Sequence, residues 1–92
     1  MKTLDQFLLD HKFKEISEYL YGLGFARQKC IDGYYVNKNV AMRIMKQADE
    51  NYTLFVKRSK DQPEFPYIDN IMWMDIEEIK SRINDIIFHE LL

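Results

Sequence analysis

Few residues in this chain could do covalent chemistry, and they are scattered. Cys30 is the single cysteine. A nucleophilic thiolate needs a histidine or a helix N-terminus beside it, and His11 and His89 stand near opposite ends of the chain. Cysteines and histidines do not recur at zinc-ligand spacing. The glycine pair in "GLGF" (22–25) follows a helical segment, whereas a phosphate-cradling loop follows a strand. The chain has 15 acidic residues, but none falls in a pattern that implies a catalytic cleft. The expectation is a protein that is not an enzyme, with no catalytic residues, no metal and no cofactor.

What remains is binding chemistry. "RIMKQADENYTLFVKRSK" (43–60) reads as two strands and a tight turn, closed by Lys57, Arg58 and Lys60. The net charge of −2 hides a division along the chain. Residues 1–24 hold three Lys/Arg against four Asp/Glu, a balance of −1. Residues 25–60 hold eight against three, +5, and residues 61–92 hold two against eight, −6. A basic middle that is rich in aromatics could stack on bases and attract phosphates. The same composition is also ordinary for a half-exposed strand face, where Tyr and Phe favour the pleat and Lys protects edges.

The elements that would position these groups follow from periodicity. With 92 residues, 47% of them apolar, the chain makes one domain over 1–92 and buries roughly 60–65% of its unfolded surface. A first helix runs from a Thr3 cap, with Gln6 completing a capping box. Leu9, Phe13, Ile16, Leu20 and Leu23 form its apolar stripe, while Leu4 and Phe7 drift off it. A kink, or two short helices meeting near Asp10–Lys12, would bring both sets to the core. Gly24 suits the left-handed position after the helix, with Phe25 folding back in a Schellman arrangement.

Three antiparallel strands follow, at about 29–36, 40–47 and 52–58. A three-residue turn "NKN" would pair Val36 with Val40, and "DEN" would pair Ala48 with Tyr52. This register puts Tyr34, Val36, Val40, Met42, Ile44, Tyr52, Leu54 and Val56 on one face. The other face takes Tyr35, Ala41, Arg43, Met45, Thr53, Phe55 and Lys57. Residues 61–74 read as an aromatic loop. Asp75 and Glu78 then open a second helix with a clean stripe of Ile76, Ile79, Ile83, Ile86, Ile87 and Leu91. The fold class is α+β: two layers in the order α-β-β-β-α, a three-stranded meander packed by the two helices.

In topology alone this order resembles the double-stranded-RNA-binding domain. That fold sets a lysine-rich start of its second helix on RNA phosphates. The corresponding start here, "DIEEIK", carries Asp75, Glu77 and Glu78, which would repel them.

By exclusion, the expected function is that of a small protein-binding, inhibitor-type protein that blocks a partner's surface. A phage anti-defence factor or an immunity protein would fit this size and acidity. The expected contacts are Tyr35, Arg43, Phe55 and Lys57 on the sheet, with Glu64, Phe65, Tyr67 and Trp73 in the following loop, although core packing is the commoner role for such a Trp. One alternative is a nucleic-acid binder using Arg43, Lys57, Arg58 and Lys60. Another is a homodimer pairing its exposed sheet faces or strand edges. No run approaches the ~20 apolar residues of a membrane span, and Cys30 suits a reduced compartment, so the expected location is the cytoplasm.

Overall fold

The computed structural model describes residues 3–28, 33–38, 40–47, 51–59 and 61–91. They form α1 (Leu4–Gly22), β1 (Ala26–Arg27), β2 (Tyr34–Asn37), β3 (Val40–Lys46), β4 (Tyr52–Lys57), β5 (Phe65–Ile68) and α2 (Ile76–Leu91). The strands join in one antiparallel sheet in sequential order β1-β2-β3-β4-β5. The α+β class holds. The meander has five strands, not three, because short edge strands add to either side.

Helix ends are set by local chemistry. Thr3 Oγ1 accepts from Gln6 N–H at 3.1 Å, satisfying one of the donors left open at a helix start. Gln6 Nε2 in turn donates forward to Asp10 Oδ1 at 2.9 Å. At the other end Gly24 takes φ +96°. Phe25 N–H then reaches Leu20 O at 2.9 Å and Gly24 N–H reaches Tyr21 O at 3.0 Å. This is the expected Schellman closure. Asn37 Nδ2 donates to Leu23 O at 3.1 Å, tying the end of β2 to the end of α1.

The core lies between one sheet face and both helices. Ile16 and Leu20 of α1 and Ile79, Ile83 and Ile86 of α2 cluster with Tyr35, Met42, Leu54, Val56 and Ile68. α1 is one continuous helix through Asp10–Lys12, not two short ones, and Leu4, Phe7 and Leu8 stay exposed.

The register of β2 corrects the expected faces. Asn37, not Val36, pairs with Val40, so the turn is one residue shorter than "NKN". Lys38 adopts the left-handed φ of 57° that such a two-residue hairpin demands. A slip of one residue inverts a strand. Tyr35 therefore faces the core opposite Met42, and Tyr34 takes its place beside Arg43. The second hairpin also slips, pairing Lys46 with Tyr52. There the slip is two residues, so the faces of β3 and β4 stand as expected. The segment read as an aromatic loop contributes β5, whose register shifts beside Leu54 and Phe55.

Candidate functional site

Among the described residues, Trp73 is the most exposed large apolar side chain, at 76%. A short turn puts it there. Asn70 is left-handed, with φ 55°, and its carbonyl accepts from both Trp73 N–H and Met74 N–H at 3.0 Å. Asn70 N–H is held in turn by Asn51 Oδ1 at 3.1 Å. Next to it Ile71 is fully buried and donates its N–H to Tyr52 O at 3.1 Å. The turn is thus pinned on one side and presents Trp73 on the other.

Lys12 secures the same turn from α1. Its ammonium donates to Ile71 O at 3.1 Å and to Met72 O. Burial lowers the Lys12 pKa from its ordinary 10.5, and the negative charge of Asp75 partly offsets this. Between α1 and the turn lies an open groove of about 460 Å³ bordered by Leu8, Glu15, Met72, Trp73 and Ile76. Leu4 precedes Leu8 by one helical turn and is 74% exposed. His11 sits on the same flank and meets Glu15 at 3.4 Å.

The outer sheet face holds a second group. Cross-strand pairing sets Arg43 between Tyr34 and Phe55, with Lys57 opposite Ala41. Arg43 Nε is shielded from solvent and meets Glu64 Oε1 at 3.4 Å. This is an ion contact, not a well-formed hydrogen bond. Thr53 Oγ1 on the same face donates to Asp69 Oδ1 at 2.9 Å. Acids from the segment around β5 thus answer polar groups of the outer face.

The expected contact residues therefore separate. Arg43, Phe55, Lys57 and Glu64 share the outer face. Tyr35 does not join them: it is 3% exposed, and its hydroxyl bonds with Ser17 Oγ. Phe65 and Tyr67 pack partly against the core, with ring centroids 6.3 Å apart. Tyr67 donates to Arg82 O of α2 at 2.7 Å, and burial, then Asp85, raises the Tyr67 phenol above its ordinary 10.0 while Arg82 and Arg58 pull it back. Arg58 lies over the Phe65 ring, 4.9 Å from its centroid. Lys60 and Cys30 fall outside the described residues.

No family model, curated protein or solved structure matches this chain. The site must be read from its own residues.

Sequence reasoning named Trp73 as a candidate contact but not its exposed neighbours Leu4 and Leu8. The drift of Leu4 off the helical stripe was the available signal. Among the described residues, no group of three His, Cys, Asp or Glu could hold a metal ion. No helix among them is long and apolar enough to cross a membrane.

Proposed function

We propose that this protein acts by binding another protein and occupying its surface, with no chemistry of its own. The observation that carries this reading is the exposure of Trp73 beside Leu8, with Leu4 one turn away. A large exposed aromatic with apolar neighbours is a common form of interface anchor. Water around such a patch is released on docking, which supplies the driving force. Blockade of the anti-defence or immunity kind is the form of this activity that best suits the chain's size and its acidic last third.

The test is capture from the native host with the wild type, Trp73→Ala and Leu8→Glu. Both substituted positions are exposed, so the variants should fold. The expected result is a partner retained by the wild type and lost from both. A partner retained equally by all three would overturn the reading.

Pairing of two copies through the outer face is the second reading. It is favoured by half-exposed Tyr34, Val36, Met45 and Phe55 on a face that contributes nothing to the core cluster. It predicts a mass that rises with concentration in light scattering, and a constant single-chain mass would exclude it. Nucleic-acid binding on that face is less favoured. Tyr35 points away from it, and Glu64 already answers the Arg43 charge.

A further inference from the structure

A second concavity opens on the other flank of α1. It has a volume of about 550 Å³, and its described lining comes from five elements and the residue before β2. Lys14 of α1, Arg27 of β1 and Lys46 of β3 supply three cations, with no acid among the described lining residues. Ser17 and Tyr35, hydrogen-bonded to each other, add two hydroxyls. Phe13 and Tyr52 form an aromatic wall, edge to face with centroids 5.1 Å apart. Gly33 lets the backbone approach closely here: a Cβ at this position would meet Ile44 O at 3.0 Å.

We infer that this cleft binds a small phosphate ester carrying an aromatic ring. Its volume lies within the range of small-molecule sites, which pair an apolar wall with a few convergent polar groups. Three cations brought from three separate elements suit a tetrahedral dianion better than a carboxylate, which one arginine satisfies. The hydroxyl pair offers donors and acceptors beneath it. The rings of Phe13 and Tyr52 suit a planar group. Arg27 and Lys46 hold contacts of their own, and the inference rests on where their charges stand. This cleft is separate from the Trp73 groove and independent of the reading proposed for it.

Titration calorimetry tests this with four probes: adenosine 5′-monophosphate, phenyl phosphate, inorganic phosphate and uncharged adenosine. The expected result is saturable binding of the two aromatic esters at one site per chain, with inorganic phosphate weaker and adenosine silent. The double variant Lys14→Glu/Lys46→Glu should lose about tenfold or more in affinity, as expected for removing charge-assisted hydrogen bonds. Both lysines are exposed, and circular dichroism checks that the fold survives. Arg58→Glu/Arg82→Glu makes the same change of charge outside the cleft and should bind as the wild type does. No saturable heat from either ester would overturn the inference. So would equal binding by the two charge variants. Inorganic phosphate binding as tightly as the esters would mean an adventitious ion only, and would overturn it as well.

Discussion

On one flank of α1, Phe13, Lys14 and Ser17 look into a cleft whose far walls carry Arg27 and Lys46; on the opposite flank, Leu8, Lys12 and Glu15 border a groove walled by Met72 and Trp73. One helix thus serves two different surfaces. The core stripe of Leu9, Ile16 and Leu20 runs between them. The first surface collects cations and hydroxyls around aromatic rings. In the second, Lys12 is the lysine, and its ammonium is engaged by the carbonyls of Ile71 and Met72. That leaves apolar side chains and the carboxylates of Glu15 and Asp75 facing outward. The two sides differ in the sign of the charges that border them: three cations on the first, Lys12 with two carboxylates on the second. A net charge of −2 describes neither. Tyr52 links them: its ring lines the cationic cleft, and its carbonyl takes the N–H of Ile71.

The most damaging way to break this arrangement is Ile71→Ala. Ile71 is fully buried, and the change should cost about 2–4 kcal/mol by lost burial and a residual cavity. Denaturant unfolding would show it, and a loss below about 1 kcal/mol would mean that the turn is not anchored as described.

Gly33→Ala acts on the other flank. At φ +69°, with Ile44 O only 3.0 Å from the added Cβ, it should lose about 1–2 kcal/mol. Unchanged stability would show that this backbone adapts freely.

Lys12→Met sharpens the comparison. It should destabilise by about 1–2 kcal/mol, because the Ile71 and Met72 carbonyls lose their donor. It also has a pH signature. The folded pKa of Lys12 lies below its ordinary 10.5, so as pH rises the folded chain gives up this proton before the unfolded chain does. In that window just below 10.5 the unfolded chain holds more protons, and stability rises with pH. Denaturation midpoints measured on approach to pH 10.5 should show this rise in the wild type relative to Lys12→Met. Parallel curves would contradict the assignment.

Trp73→Ala should be the mildest for stability, within about 0.5 kcal/mol, as expected of an exposed residue. Trp73 is the one tryptophan of the chain, so the wild type's emission reports directly on this surface and should be that of a solvated indole. A strongly blue-shifted emission from the isolated protein would show the patch to be covered already.

Much of the frame was legible in the residues. The Thr3 cap, the Gly24–Phe25 closure and the isoleucine stripe of α2 are local matters, decided by neighbours within about one or two helical turns. The faces of β3 and β4 were legible too, because a two-residue slip preserves alternation. The face of β2 was not. "NKN" fits a two-residue turn as well as a three-residue one, and that difference alone carried Tyr35 from the outer face to the core.

The sequence by itself therefore determined where both helices start and where α1 stops, which stripes are apolar, and how charge divides between the middle and the end of the chain. Tertiary structure decided the rest. β1 has two residues and β5 contains Pro66, so neither strand has enough propensity to declare itself; each forms because a neighbouring strand offers unpaired backbone groups. Trp73 stands exposed because the turn at Asn70 sends Ile71 inward in its place, and the cationic cleft exists because three distant elements converge. Local capping and periodicity are written in adjacent residues. Register, edge pairing and exposure depend on what the rest of the fold brings alongside.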